Sequence, residues 1–245
     1  MPPIFSLLED SHFHGEGMMP EKTSIIMTAL NQNALQVNIT SAALGNISKY
    51  TNREDYELIL VDQGNPPPDL NHRHNNIDID KHIKIKGNIG MSAAMNRGYK
   101  ESNPNYPYIC FMHNDVFVWE GWLSTLREFI EKDPKSIIMP TQGPYSREDI
   151  KRFCSEENPV GNDDAGMVIM SKETFKKTGG WDERFKSVYQ DGAFRLRFPK
   201  SHWCTGKVLI THIGSINMYT SEQDGQEAPI WQKLRGGEGK YINYL

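Results

Sequence analysis

The chain has 245 residues, 38% of them hydrophobic and 24% charged, a balance that suits one soluble folded domain and excludes a disordered tail or a fibre. Its 27 basic and 31 acidic residues give a net charge of −4 with no long Lys/Arg run, which weighs against a polyanion partner. Three cysteines without a Cys-X-X-Cys pair exclude a disulfide scaffold and a thiolate zinc site and point to a reducing, cytoplasmic setting. Apolar runs of about five residues are far shorter than the ~20 that span a bilayer. The N-terminal stretch has Glu9, Asp10 and two histidines where a signal peptide would be basic and then apolar. Neither secretion nor membrane spanning is expected.

Along the chain, Ser24–Met27 reads as a strand. Leu35, Ile39, Ala42, Ala43 and Ile47 follow at helical spacing. Leu58–Val61 is a continuous apolar run, as for a strand covered on both faces, and Ile83–Ile85 is a weaker one. Met91, Ala94, Met95 and Gly98 mark a second helix, Tyr108–Met112 a buried strand, and Trp122, Leu123, Leu126, Phe129 and Ile130 a third helix. Ile137–Met139, Met167–Met170 and Val208–Ile210 complete the strands, with a short helix near Lys172–Lys177. Alternating strand and helix is the order of an α/β domain with a mostly parallel central sheet and helices on both faces. Gln63–Asn76, rich in Pro, Asn and His, reads as a loop. The chain divides into a polar tail (1–20), a first half (21–140), a second half (141–216) and a polar, aperiodic tail or lid (217–245).

Three strands end in polar residues: Thr28-Ala29-Leu30-Asn31, Asp62-Gln63-Gly64-Asn65 and His113-Asn114-Asp115. Ligands of open parallel sheets bind beyond the carboxyl ends of the strands, so these ends can share one pocket. Asp62 taken alone serves equally well to close a turn before Gly64.

These segments resemble family-2 glycosyltransferases of the Rossmann-like, nucleotide-sugar-binding A-type fold. The likeness runs from Thr23 to Ser215. It includes Asn88-Ile89-Gly90, Asn96-Arg97-Gly98, Gly179-Gly180-Trp181-Asp182-Glu183, Tyr189-Gln190-Asp191 and His212-Ile213-Gly214-Ser215. It implies that Asp62 bonds the nucleobase of a nucleoside diphosphate sugar, UDP or dTDP being favoured. Thr28, Leu30, Asn88, Gly90, Asn96 and Asn114 line the nucleotide-sugar site. Gly90 alternatively just opens a helix, and Leu30 stands where the family often has an aromatic ring.

The family's paired metal-binding carboxylates are reduced here to His113-Asn114-Asp115. The resemblance makes Asp115 and His212 the metal ligands, with His113 either joining through a ring nitrogen or packing at the strand end. An imidazole ligand suits Mn²⁺ better than Mg²⁺. The resemblance makes Asp191 the general base for inverting transfer to a hydroxyl acceptor of unknown class. Gly180 and Trp181 form an acceptor or sugar platform, Trp181 having a core position as its alternative. Nucleic acid is a disfavoured acceptor at this net charge. The thinned motif also admits a catalytically weak nucleotide-sugar-binding module and, further off, a nucleotidyltransferase, although no glycine- and arginine-rich loop follows the first strand.

His12-Phe13-His14 and His72-Arg73-His74 have spacings open to metal binding but lie in polar loop or tail sequence. Asp163-Asp164 fits a loop cap or a sugar contact. Lys233–Lys240, with Arg235, fits a lid over the diphosphate or a tail.

Overall fold

A computed structural model of the protein describes residues 21–64, 78–143, 166–198, 202–213 and 221–235. The 1–20 tail, most of the Gln63–Asn76 loop, the His12/His14 and His72/His74 pairs, Asp163-Asp164, Gly214-Ser215 and the glycines at 236–237 lie outside them.

The strand-helix alternation gives β1 (Thr23–Ala29), α1 (Ala34–Tyr50), β2 (Tyr56–Asp62), β3 (Lys81–Lys84), α2 (Met91–Glu101), β4 (Tyr108–His113), β5 (Val116–Phe117) and α3 (Trp122–Lys132). Then follow β6 (Ile137–Gly143), β7 (Met167–Ser171), α4 (Lys172–Thr178), α5 (Gln190–Arg195), β8 (His202–His212) and α6 (Ser221–Arg235). The described strands form one mixed sheet in the order β3-β2-β1-β4-β7-β6-β8-β5. β3, β2, β1 and β4 run parallel. β7 is antiparallel to both β4 and β6, β8 is parallel to β6, and β5 is antiparallel to β8.

Strand side chains alternate between two apolar layers. Ile25, Met27, Leu58, Leu60, Cys110 and Met112 pack with Leu44 and Ile47 of α1 and Trp122, Leu126 and Ile130 of α3. Ile26, Ile59, Val61, Ile109 and Phe111 face the other way, toward Ala94 and Met95 of α2, Phe175 of α4, Trp181 and Phe194. Each fully buried aliphatic side chain contributes roughly 1.5–3 kcal/mol of transfer free energy. A Cβ at Gly98 would collide with Ile26 and lie 3.1 Å from Val61, so the bare Cα lets α2 rest directly on β1 and β2.

The register of α1 differs from the stripe expected. Leu35 is 65% exposed, and the inward face is Gln36, Val37, Thr40, Ser41, Ala43, Leu44 and Ile47. The helix opens with Asn33 Oδ1 accepting from Gln36 N at 3.0 Å, while Gln36 Oε1 accepts from Gln32 N at 2.7 Å. This reciprocal capping turns Gln36 inward and Leu35 out. The 217–245 segment, read as aperiodic, contains α6. Its packing comes from Leu234, buried with Phe185 and Ala193, and from Ile230 and Trp231 beside them.

Candidate active site

Strand order reverses between β1 and β4, since β2 and β3 continue on one side of β1 and β4 lies on the other. The carboxyl ends of these strands therefore bound a crevice. Thr28 stands opposite His113 and Ala29 opposite Asp62, which brings the three polar strand ends to one edge.

Beyond β4 the chain turns at Asn114-Asp115 and pairs β5 with the end of β8, Val116 opposite His212. Ile213 N donates to the Asp115 carbonyl at 3.1 Å. This short antiparallel pairing carries His212, almost a hundred residues away in sequence, to the Asp115 carboxylate, with Nε2 to Oδ1 at 3.2 Å. The His113 and His212 rings meet edge to face at 5.3 Å. One donor atom each from His113, Asp115 and His212 lies within 4.8 Å of the others. His113, buried and packed on His212, thus stands beside the two residues expected from the resemblance and makes a three-residue cluster with them. Gly166, at the start of β7, accepts from His113 N through its carbonyl at 2.8 Å. A Cβ there would lie 2.9 Å from His212 Nδ1, so glycine leaves the space the ring occupies.

Burial of Asp115, 6% exposed, would by itself raise its pKa. The hydrogen bond from His212 and the positive charge of His113 and His212 outweigh that effect and hold the carboxyl below its ordinary range. Donors placed about 2.1 Å from a cation are roughly 3–4.2 Å apart, so this trio, spread over as much as 4.8 Å, would have to draw in slightly to hold a single ion. Two imidazoles and one carboxylate favour a transition ion such as Mn²⁺ over an all-oxygen Mg²⁺ shell.

A second network organises the other side of the crevice. Thr40 Oγ1 donates to Asn31 Oδ1 at 2.7 Å and accepts from Asn114 Nδ2 at 2.7 Å. Asn31 Nδ2 in turn donates to Asp62 Oδ2 at 3.1 Å. Gly64 N donates to Asp62 Oδ1 at 3.0 Å, and His82 Nε2 lies 3.5 Å from Asp62 Oδ2. Asp62 is fully buried, so it closes the turn before Gly64 and orients Asn31, and in this structure its carboxylate presents no surface to a base. Thr28 is buried and Leu30 half-buried at the neighbouring strand end. Asn88 Oδ1 accepts from Gly90 N at 2.8 Å, and Gln63 Oε1 accepts from Ile89 N at 2.9 Å. Gly90, at φ 92°, opens α2 as the alternative reading had it, and a Cβ there would lie 2.9 Å from Lys186.

Two expected ligand contacts turn inward. Asn96 Nδ2 donates to the Trp181 carbonyl and to Glu183 Oε1, both at 2.9 Å, and Asn96 Oδ1 accepts from Trp181 N at 2.8 Å. That amide is committed to a clasp between α2 and the Gly179-Gly180 turn. Trp181 is 4% exposed, stacked on Phe194 at 4.1 Å and edge-on to Phe111 at 5.4 Å. It is a core ring in this structure, and Gly180, at φ 92° against Asn96, shapes the turn that buries it. Asp191 lies in the first turn of α5, 7% exposed, with Gln190 Nε2 at 3.5 Å from its Oδ2. Gln190 Nε2 also approaches Met91 Sδ at 3.2 Å, so Asp191 is carried beside the start of α2. Thr40, His82 and Gly166 escape sequence reading, because no linear spacing links them to the strand ends they serve.

The mixed sheet with its strand-end crevice has the architecture of A-type glycosyltransferases. A crystal structure of GalNAc-T7 with UDP, GalNAc and Mn²⁺ superposes with a TM-score of 0.66 at 12% identity, over 92% of this chain and 49% of that one. The protein therefore spans about half the length of that neighbour. The sequence matches Glycosyl transferase family 2 over residues 24–202, and the chain belongs to that family. No curated protein sequence matches it.

Proposed function

We propose that the protein is an inverting, metal-assisted glycosyltransferase that moves a sugar from a nucleoside diphosphate donor to an acceptor hydroxyl. The observation that carries this reading is the convergence of His113, Asp115 and His212 at the strand-end crevice of a family-2 chain. The UDP and Mn²⁺ of the structural neighbour support a UDP donor and a manganese ion. Bound there, the ion would supply Lewis-acid neutralisation of the departing diphosphate.

The chain's own groups do the rest. Asp115, its carboxyl held below the ordinary range, and the two imidazoles would hold the cation. Asn114, fixed by Thr40, keeps the turn between them in shape. Asp191 takes the acceptor hydroxyl's proton as that oxygen attacks the anomeric carbon, on the face opposite the leaving group, and this inverts the configuration. A base so placed contributes on the order of 10²–10⁴-fold. Among the described residues no helix is long and apolar enough to cross a membrane. A cytoplasmic setting is the reading we take from the low cysteine count without a Cys-X-X-Cys pair.

UDP-, dTDP- and GDP-sugars with Mn²⁺, followed by thermal shift and nucleotide release, test the assignment. Asp115→Ala is expected to abolish Mn²⁺-dependent donor binding. Asp191→Asn is expected to keep binding and lose about 10²-fold or more in turnover. Equal turnover in wild type and Asp191→Asn rejects the base. Metal-dependent binding without turnover on a broad acceptor panel makes the protein a nucleotide-sugar-binding module instead.

A further inference from the structure

The segment Lys186–Val188 points three successive backbone N–H groups at one carboxylate, and that carboxylate comes from α6. Glu227 Oε1 accepts from Lys186 N at 3.0 Å and Ser187 N at 3.2 Å, and Oε2 accepts from Val188 N at 3.0 Å. Glu227 is 3% exposed, so these bonds form out of water and fix the segment tightly. The next residue, Tyr189, has φ 59°, the left-handed region that a tyrosine adopts only when its surroundings impose it. Those surroundings are again α6, for Trp231 stacks on the Tyr189 ring at 5.7 Å with an interplanar angle of 12°. Trp231 also fills the space over Gly192, where a Cβ would lie 2.7 Å from its Cη2. On its other side Lys186 accepts from Met91 N at 2.6 Å through its carbonyl. The contacts of α6 thus bracket Gln190-Asp191 before and after, and tie that turn to the start of α2.

We infer that Glu227 and Trp231 are positioning residues for Asp191: α6 holds the turn in the conformation that aims the base. The inference rests on the reading of Asp191 as the base. The second oxygen of Glu227 is essential to it, because glutamine at 227 offers one acceptor where the carboxylate offers two. Trp231→Phe keeps a ring on Tyr189 but gives up the indole's reach over Gly192.

Steady-state release of UDP from UDP-N-acetylgalactosamine and UDP-glucose with Mn²⁺, water serving as the acceptor whose proton Asp191 takes, is measured for wild type, Asp191→Asn, Glu227→Gln, Trp231→Phe and Gly192→Ala. Gly225→Ala, an exposed site on α6 with nothing within 4 Å of the added Cβ, is the control. The expected result is a fall in kcat of tenfold or more in Glu227→Gln and Gly192→Ala, with donor KM within about twofold and the thermal midpoint lowered by only about the few degrees that one lost buried hydrogen bond costs. A smaller fall is expected in Trp231→Phe, and none in Gly225→Ala. Faster hydrogen exchange at Lys186, Ser187 and Val188 should accompany the loss in Glu227→Gln. Unchanged kcat in Glu227→Gln while Asp191→Asn is inactive overturns the inference and leaves the base standing. Loss of kcat, donor KM and thermal midpoint together in every α6 variant also overturns it, since that is a folding defect. Full turnover in Asp191→Asn removes the base and this inference with it.

Discussion

Gly166 and His212 show how a single hydrogen in place of a methyl sets the chemistry of a side chain elsewhere. The His212 imidazole is confined between Asp115, the His113 ring and the bare Cα of Gly166. Gly166→Ala places a methyl 2.9 Å from Nδ1, so the His212 ring or the strand beneath it must shift, which disturbs its approach to Asp115. The expected outcome is Mn²⁺ affinity lower by roughly 10–100-fold, as for other residues that orient a metal ligand, with the fold retained. Titration of Mn²⁺ by calorimetry checks it, and unchanged affinity would separate His212 from the ion. At this scale the sequence displayed Asp115 at a strand end, and the family resemblance singled out His212. Nothing in it displayed Gly166, because the collision is with a residue 46 positions away across the sheet.

Elements were legible wherever burial and apolar character coincide, and obscure where they part. The stretches Leu58–Val61 and Tyr108–Met112 are apolar and fully covered, so their runs announce strands. The N-terminal half of α1 instead turns Gln36, Thr40 and Ser41 inward, and Thr40 meets the amides of Asn31 and Asn114. Hydrophobic periodicity cannot register a buried polar face, and it chose Leu35. β5 is two residues long and α6 carries Pro229 in its interior, so neither leaves a periodic signature. Among the helices, α2 is tied to the Gly179-Gly180 turn through the Asn96 clasp. Asn96→Ala removes both donors and the acceptor, leaving the Trp181 N–H and carbonyl without their side-chain partners. Loss of about 1–3 kcal/mol is expected, read as a lower urea midpoint at unchanged slope. Arg197 Nη1 still donates to the Thr178 and Gly180 carbonyls, so the turn should loosen without detaching.

Across the whole molecule the two ends of the sheet do different work. The carboxyl edge gathers His113, Asp115 and His212, while the opposite edge is a closed structural network. There Glu57 Oε1 accepts from Ser24 Oγ at 2.5 Å and from Asn103 N at 2.7 Å, and Lys172 Nζ donates to the Asn103 carbonyl. Burial pulls the Lys172 ammonium down to about 8 from 10.5, against the opposing pull of Glu57 and with a small push from Lys81. Between those values Lys172 holds more of its proton in the unfolded chain than in the folded one, so its own contribution to stability rises with pH from about 8 to 10.5. Below about 8 the penalty is constant, on the order of 3 kcal/mol. Lys172→Met should abolish this rise, which thermal melts of both proteins at pH 7 and pH 9.5 would reveal as a gap that changes with pH. A gap independent of pH would mean that Lys172 keeps its ordinary proton affinity. At this scale the α/β class and the mostly parallel sheet were legible from alternation alone, whereas the antiparallel β7 and β5 pairings are long-range facts that no local pattern encodes.

The stack of Trp231 on Tyr189 also equips the protein with an optical gauge. Trp122 and Trp181 sit inside the two apolar layers, where nucleotide cannot alter their solvation directly. The indole at 231 is only partly covered and touches the turn that carries Asp191. Subtracting the emission of Trp231→Phe from that of wild type isolates this one fluorophore. Its colour would then follow, without label or coupled assay, whether α6 stays seated on the Tyr189 turn as nucleotide is added.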